Sequence, residues 1–295
     1  MTHPADAPGP SATEARLDAL LPAEMASKAA DIGVRKAAMA TVPMFVLAVL
    51  AGAFIALGAA FATTVAAGAA GELPYGIVRL VAGVAFSLGL ILVIVGGAEL
   101  FTGNNLLAMA WAARRIDGRS IVRNWAIVYA GNLVGAVGTA VLVVAAGQYL
   151  FGDGAVGATA LATAAAKTGL DPLRAFVLGV LCNGLVCLAV WLTYSARTTT
   201  DRILAIVPPI AAFVAMGFEH SVANMYFIPV GILIRTVAPA SFWESIGRTA
   251  ADYPTVDAVG LVGNLVPVTL GNIVGGTVLV AAVYWLVYLR AANRP

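Results

Sequence analysis

Long apolar segments that carry almost no charged residues recur along the whole chain. They occupy residues 43–68, 78–98, 121–147, 173–195, 203–218 continuing through 222–237, and 258–289. A helix needs about 20 predominantly apolar residues to cross a bilayer, and each segment is long enough to do so. The chain is 61% hydrophobic and 11% charged, whereas soluble domains carry about 25% charged residues. The sequence therefore predicts an all-α polytopic membrane protein with six crossings.

Composition excludes several other classes of protein. The net charge of +2 is too small to indicate a nucleic-acid partner. Cys182 and Cys187 share one apolar run, so we interpret them as buried packing residues rather than a disulfide. Residues 1–27 contain no apolar core, and the sequence predicts no cleavable signal peptide. The apolar runs are continuous, which argues against the alternating strands of a membrane barrel.

The spans and the segments between them divide the chain into six parts. The Pro-rich N-terminus is expected to be disordered, and apolar residues at helical spacing then predict an amphipathic helix at the membrane surface. That spacing is seen in Leu20, Leu21, Met25, Ala29 and Ile32. The predicted parts are a tail (1–16), a cytoplasmic amphipathic helix (17–40), a first three-helix repeat (41–150), an outer linker (151–172), a second three-helix repeat (173–290) and a C-terminal tail (291–295).

The distribution of lysine and arginine predicts the orientation of the chain in the membrane. With the N-terminus inside, twelve of the 17 basic residues fall in inner segments and five in outer ones. The five outer residues are Arg79, Lys167, Arg174, Arg235 and Arg248. Because cytoplasmic segments carry an excess of Lys and Arg, we expect both termini to be cytoplasmic, in the inner membrane.

Two short motifs occur in the same order in both halves of the chain. Residues 97–104 and 217–224 share the pattern Gly-x-Glu-x-x-x-small-Asn, and residues 131–135 and 271–275 share Gly-Asn-x-Val-Gly. Each half holds three predicted crossings, and an odd number of crossings forces the two copies into opposite orientations. Inverted repeats with broken helices are typical of transporters and channels, and the first motif places the breaks in the second and fifth helices.

Two carboxylates lie inside the apolar segments, and both fall at the predicted breaks. A carboxylate at mid-bilayer is costly and needs a polar partner. Glu99 and Glu219 are therefore expected either to hold an unwound loop, by accepting its free backbone N–H groups, or to contact a permeating species.

His220 is the one histidine in the apolar part of the sequence, and it follows Glu219 directly. It is either a packing residue or a centre for anion binding or proton exchange, since imidazole titrates close to neutral pH. A metal site is a poor alternative because no second ligand accompanies it. Thr102, Asn183 and Asn272 either complete a polar network around such a centre or bond helices to one another. Lys167 either reaches the membrane surface or attracts anions.

The motifs resemble those of the formate–nitrite transporter family. The resemblance rests on GGAELFTGNN (96–105) and GFEHSVANMYF (217–227), with support from residues 20–37, 181–191 and 265–276. It covers the chain after the tail and implies an aquaporin-like fold of six helices, the second and fifth broken. It also implies a homopentamer with one pore per protomer, which carries small monovalent anions such as formate and nitrite, and in some members lactate or hydrosulfide. Formate-type members look closer than nitrite-type ones.

The resemblance also implies a role for each candidate residue, and it implies neither a cofactor nor a metal. His220 matches the central pore histidine, with Asn272 facing it. The other matches are a supporting polar network (Thr102, Lys167, Asn183 and Glu219), an inner hydrophobic constriction (Leu90, Leu100 and Phe101), hydrophobic gates along the pore (Phe86 and Phe213) and a residue that shapes the loop (Glu99). By residue type alone, the five apolar members would be core.

These roles suggest a mechanism for passing a weak acid through an apolar slot. The anion is expected to be drawn in by Lys167, to take a proton from or through His220, and to leave as the neutral acid or as the anion when the loop opens. The alternative is a channel for water, glycerol or ammonia. The chain has no Asn-Pro-Ala motif and no second pore histidine, which argues against it. No nucleophile–base set indicates an enzyme.

Overall fold

The computed structural model describes residues 18–69 and 71–290, and this part of the chain is helical with no strand. The tails predicted for residues 1–16 and 291–295 lie outside the described residues. Five helices are long and apolar enough to cross a membrane. The prediction of an all-α membrane protein is confirmed.

Eleven α-helices occupy the described residues. They are α1 (Pro22–Ala37), α2 (Thr41–Ala66), α3 (Tyr75–Gly96), α4 (Leu107–Ala112), α5 (Gly118–Ala145), α6 (Ala155–Thr168), α7 (Pro172–Ser195), α8 (Thr199–Ala215), α9 (Ser221–Val237), α10 (Ala240–Ser245) and α11 (Ala258–Val274). Helix α11 continues in π-helical turns to Leu289. The five long apolar helices are α2, α3, α5, α7 and extended α11, while α9 is a shorter apolar helix.

The chain leaves helical geometry at two places inside otherwise apolar sequence. Helix α3 ends at Gly96 and is followed by Gly97 with φ 78°, and the segment after α8 turns at Gly217 with φ 72°. Glycine is the residue that adopts this left-handed conformation without steric cost. The N–H of Phe218 bonds to the carbonyl of Phe213 at 3.0 Å, and the matching bond after α3 is 2.9 Å. Both interruptions fall in the motifs that sequence analysis singled out.

Helix α1 buries its apolar face against protein. Met25 and Ala29 belong to an apolar cluster with residues of α4, α7 and the end of α11. Leu21, which shares their predicted face, is 65% exposed because it precedes the first turn. Helix α1 therefore buries Met25 and Ala29 of its amphipathic face against protein, and its place at the membrane surface stays a prediction.

Glycines allow two pairs of long helices to approach closely. A methyl group added at Gly135 of α5 would lie 1.9 Å from the carbonyl oxygen of Val49 in α2. One added at Gly275 of α11 would lie 2.2 Å from the carbonyl oxygen of Val180 in α7. These contacts are far inside van der Waals distance, so the backbones touch where the side chains are missing.

The two cysteines, Cys182 and Cys187, are free and buried, as predicted.

Candidate functional site

The two breaks meet at a hydrogen bond between His220 and Thr102. His220 caps helix α9, where its Nδ1 accepts from the N–H of Ala223 at 3.0 Å. Its Nε2 lies 2.9 Å from Thr102 Oγ1, which belongs to the first break. Because Nδ1 acts as an acceptor, the geometry assigns the ring hydrogen of the neutral imidazole to Nε2, which then donates to Thr102.

A buried cluster of polar side chains lies next to His220. Lys167 Nζ donates to Glu219 Oε1 at 2.8 Å, and Asn224 Nδ2 donates to Glu219 Oε2 at 2.6 Å. Asn224 also donates to Asn264 Oδ1 at 2.7 Å. Asn264 Nδ2 also lies 3.4 Å from Glu219 Oε2, so the glutamate bonds to side chains of α6, α9 and α11. Of the partners considered from the sequence, backbone N–H groups of the break are replaced here by side chains, while contact with a permeating species stays a prediction.

The first break carries the same cluster. Lys36 Nζ donates to Glu99 Oε1 at 2.6 Å, and Asn104 Nδ2 donates to Glu99 Oε2 at 2.7 Å. Asn104 also donates to Asn124 Oδ1 at 2.9 Å. Glu99 therefore bonds to side chains rather than to the loop backbone, as Glu219 does.

Three members of these clusters were missed by sequence analysis: Lys36, Asn124 and Asn264. The two asparagines carried a usable signal, because each stands in an Asn-x6-Gly-Asn pattern that ends at Asn132 or Asn272. This pattern lengthens the second repeat motif. Lys36 carried a weaker signal, since it lies in the last turn of α1 as Lys167 lies in the last turn of α6.

Asn272 fixes the backbone around His220. Its Oδ1 accepts from the N–H of Ser221 at 2.9 Å, and its Nδ2 donates to the carbonyls of Glu219 (2.9 Å) and Gly179 (2.8 Å). The resemblance predicts that Asn272 faces His220. In the structure its amide bonds to the backbone on both sides of that residue, and so connects the second break to α7.

Asn132 does the same at the first break. It accepts from the N–H of Phe101 at 3.0 Å and donates to the carbonyls of Glu99 (2.9 Å) and Ala48 (2.7 Å). A buried amide that bonds to the unwound backbone and to a second helix both joins the helices and supports the site. Asn272, for which the sequence left these two roles as alternatives, bonds in the same way to its break and to α7.

Asn183 connects α7 to the first break and to α11. Its Nδ2 lies 2.7 Å from Asn105 Oδ1, 2.6 Å from the carbonyl oxygen of Asn272 and 3.3 Å from that of Thr102. The side chain is completely buried. It therefore positions the backbone that carries Thr102.

His220 lines a small chamber of about 100 Å³ between aromatic rings. The rings of Phe213 and His220 are stacked with centroids 5.9 Å apart, and Phe86 meets Phe213 edge-on at 5.6 Å. Lys167 also lines the chamber, with its Nζ 5.3 Å from the ring centroid of Phe227. A polar centre thus lies among apolar rings and two cationic side chains, Lys167 and Arg79.

Two wider cavities lie on either side of this centre. The first vestibule, about 300 Å³, is lined by Lys28, Lys36, Leu90, Glu99, Leu100 and Arg202, among others. The second vestibule, about 950 Å³, is lined by Arg79, Lys167, Arg174, Phe218 and Glu219, among others. Each therefore presents three basic side chains and one acidic side chain, and both are electropositive.

The predicted pore residues fall into separate groups. Leu90 and Leu100 line the first vestibule, while Phe86 and Phe213 line the chamber. Phe101 lines none of the three cavities. Its ring packs edge-on against Tyr129 at 5.0 Å, with Trp125 beyond at 6.2 Å, and it is 3% exposed. The structure thus brings Thr102, Lys167, Glu219 and His220 together, with Asn183 and Asn272 behind them.

This fold and site define a class: an α-helical membrane protein whose broken helices place one polar centre between two cavities, as channels and transporters do. The family model described as formate/nitrite transporter matches residues 23–286. The chain belongs to the formate/nitrite transporter family.

Relatives and solved structures agree with this membership. The chain is 44% identical to the formate channel FocA of Escherichia coli (strain K12) over 274 residues, which cover 92% of this chain and 96% of that protein. A solved structure described as a pentameric formate channel with formate bound superposes with a TM-score of 0.81 and 45% identity, covering 85% of this chain and 98% of the other. An FNT family ion channel superposes with a TM-score of 0.76 and 31% identity, covering 89% and 98%.

Proposed function

We propose that this protein is a membrane channel for small monovalent anions, with formate as the first substrate and nitrite as the next. The observation that carries the proposal is the single polar centre, His220 with Thr102, between two electropositive vestibules. Positive vestibules concentrate anions and do nothing for neutral solutes. The similarity to formate channels supports the same substrate class.

The apolar rims of the chamber determine which species crosses. A bare ion is poorly tolerated between rings such as Phe86 and Phe213, because nothing there replaces its water. A weak acid can pass as its neutral form, and a small anion can pass when the loop around Leu100 moves. Lactate and hydrosulfide belong to the same chemical class and are further candidate substrates.

His220 acts as a neutral donor in this proposal. Its Nδ1 is occupied by the N–H of Ala223, so the available hydrogen is on Nε2 and bonds to Thr102 in the resting site. An arriving carboxylate takes over that hydrogen bond, and the threonine hydroxyl can turn to donate as well. A proton passes to the anion through Nε2 only if Nδ1 is reprotonated, which requires breaking the helix cap.

The architecture proposed for the whole protein is that of the family. Six crossings form two inverted three-helix repeats, the second and fifth of them broken, and both termini are cytoplasmic in the inner membrane. This orientation places the first vestibule inside, on the side with most basic residues. Five protomers assemble with one pore each, as the similar pentameric formate channel suggests.

Replacement of His220 separates its two roles. His220→Phe removes the cap and the Nε2 donor, whereas His220→Asn keeps a side-chain oxygen that can cap α9. We expect formate uptake into proteoliposomes to fall about 10- to 100-fold in both variants, the loss of one hydrogen bond to a charged group. In both variants, formate uptake should no longer depend on a pH step across the membrane. The asparagine variant should retain the thermal stability of the parent protein. Unchanged formate flux in both would contradict the proposal.

The neutral-solute alternative is tested on the same liposomes. Swelling in sodium formate should far exceed swelling in glycerol or urea. Rapid glycerol-driven swelling that survives in His220→Phe would instead identify a channel for neutral molecules.

Neutralising Arg202 is expected to weaken capture of anions in the first vestibule. Arg202→Gln should lower uptake of dilute formate from that side by about threefold at 0.01 M salt and have little effect at 1 M, because the Debye length falls from about 30 Å to about 3 Å. The pKa of Lys28 is lowered by burial and then by Arg202. Removing Arg202 raises that pKa, so Lys28 stays protonated to higher pH. Arg248→Gln, an exposed charge elsewhere, is the control. Equal effects in the two variants would contradict the steering role.

A further inference from the structure

A neck joins the chamber to the second vestibule, and it is formed by residues that line both cavities. They include Ala82, Phe218 and two basic residues, Arg79 and Lys167. His220 lines the chamber and not the vestibule. An anion that enters the chamber from this side therefore passes both cations before it reaches His220.

The positive charge of Lys167 is largely compensated within the protein. Its Nζ lies 2.8 Å from Glu219 Oε1, and the two side chains are 14% and 6% exposed. A close pair of opposite charges presents little net charge to an ion outside the pair. The attraction of anions that sequence analysis considered for Lys167 therefore needs a second cation at the neck.

Arg79 supplies that cation, because it forms no ion pair in the described part of the chain. Its acceptors are backbone carbonyls, which orient a guanidinium without neutralising it. Nη2 donates to the carbonyl of Val214, and Nε lies 3.5 Å from the carbonyl oxygen of Ala215. Nη1 forms no hydrogen bond to any described residue, so this half-buried side chain keeps donors free for a ligand.

The end of helix α8 fixes the guanidinium at the neck. The last carbonyls of a helix have no intrahelical partner and carry the negative end of its dipole, so a cation is favoured there. The left-handed turn at Gly217 ends α8, and its N–H bonds to the carbonyl of Val214 at 3.1 Å. Arg79 of α3 is thus joined to the second break, three residues before His220.

The first half of the pore has a different residue at the related position. When the alignment of the two repeat motifs is continued along the preceding helices, Arg79 corresponds to Thr199 at the start of α8. The cation at the neck is therefore a second position, besides His220, at which the two halves have diverged.

We propose that Arg79 is the residue that captures the anion at the neck, where its free N–H groups bind a small monovalent oxyanion such as formate before the ion passes to His220. The inference rests on the proposed function and names the group that selects anions on this side. A guanidinium suits a planar ion with two oxygens, since its N–H groups can bond to both. A neutral solute of the same size gains no comparable contact.

The test is the formate concentration that gives half-maximal uptake into proteoliposomes, measured in 1 M potassium gluconate. At this ionic strength the Debye length is about 3 Å, so distant charges are screened while direct contacts remain. Arg79→Gln should raise the half-saturating concentration about tenfold, the loss of one hydrogen bond to a charged group, and leave the maximal rate within about twofold. Arg79→Lys keeps the charge and loses the planar fork, so it should stay within about threefold of the parent protein.

Arg174→Gln is the matched control, because Arg174 is an exposed cation that lines the second vestibule and not the chamber. Its half-saturating concentration in 1 M salt should equal that of the parent protein. Equal shifts in Arg174→Gln and Arg79→Gln would overturn the proposal, because they would assign capture to the vestibule as a whole.

Two other outcomes would overturn the proposal. One is an unchanged half-saturating concentration in Arg79→Gln. The other is a fall in maximal rate and melting temperature at unchanged half-saturation, which would make Arg79 a structural support of α8 only. If Arg79→Gln does not assemble, Arg79→Lys carries the test, and its half-saturating concentration should then rise two- to threefold, an unchanged value being contradictory. Normal formate uptake by the parent protein in these experiments separates failure of this inference from failure of the proposed function.

Discussion

Gly135→Ala is expected to unfold the protein partly and to abolish formate flux. The added methyl group would lie 1.9 Å from the carbonyl oxygen of Val49 and 2.8 Å from the backbone nitrogen of Ala53. Backbone atoms cannot rotate away as a side chain can, so α2 and α5 must separate by more than an ångström. Overpacking of a core costs about 1–3 kcal/mol, and we expect the upper end of that range here because the clash is with backbone atoms. Asn132 lies one turn away and holds the first break against α2, so the displacement reaches the site.

The repeat supplies a second test and two controls. Gly275→Ala should have a similar effect, because its methyl group would meet the carbonyl oxygen of Val180 at 2.2 Å. Gly138→Ala in α5 and Gly263→Ala in α11 meet nothing within 4 Å and should be neutral or stabilise by about 0.5–1 kcal/mol. Thermal unfolding in detergent and the monodisperse fraction measure the difference. Equal melting temperatures for Gly135→Ala and Gly138→Ala would show that the helices are not in backbone contact.

The breaks could be predicted from sequence because their cause is local. A glycine at a left-handed position ends each helix, and a buried carboxylate follows two residues later. Both signals are visible in the residue types at positions 97–99 and 217–219. Family membership was equally accessible, since the paired motifs carry it, and the match over residues 23–286 confirms it.

The partners of the carboxylates could not be predicted in the same way. Lys36 and Asn124 reach Glu99 and Asn104 from helices far away in sequence, and no local pattern specifies which of several polar residues will meet. The direction of the Phe101 side chain could not be predicted from the sequence either. Its neighbour Leu100 lines the first vestibule, whereas Phe101 packs against Tyr129, because successive residues of an unwound loop point in different directions.

The two halves share their supporting structure and differ at the functional centre. The lysine–glutamate–asparagine cluster and the asparagine that holds the break occur in both. When the two repeat motifs are aligned, His220 corresponds to Leu100 and Val222 corresponds to Thr102. The hydrogen bond between His220 and Thr102 therefore joins two positions at which the repeats have diverged. A duplicated scaffold with one unduplicated polar pair gives a single site rather than two.

Glu219→Gln is expected to be the most damaging polar substitution in the second cluster. The glutamine keeps an oxygen for Asn224 but leaves Lys167, whose side chain is 14% exposed, as a largely buried ammonium without a counter-charge. Breaking a buried ion pair by removing one partner costs about 3–5 kcal/mol. The melting temperature should fall sharply. Formate flux should fall with it, because a shift of residue 219 also moves its carbonyl, which Asn272 holds beside His220.

The exposed pair Arg115–Asp31 is a matched control for this substitution. Its N···O distance of 2.7 Å is close to the 2.8 Å of Lys167–Glu219, but its side chains are 42% and 59% exposed. Asp31→Asn should therefore cost less than about 1 kcal/mol. The double variant Lys167→Met/Glu219→Gln should recover most of the stability lost in Glu219→Gln, since no unpaired charge remains buried, while flux stays low because the second vestibule has lost a cation. If Glu219→Gln and Asp31→Asn lower the melting temperature equally, burial does not increase the contribution of the Lys167–Glu219 pair to stability. In that case the cluster would serve the anion rather than the fold.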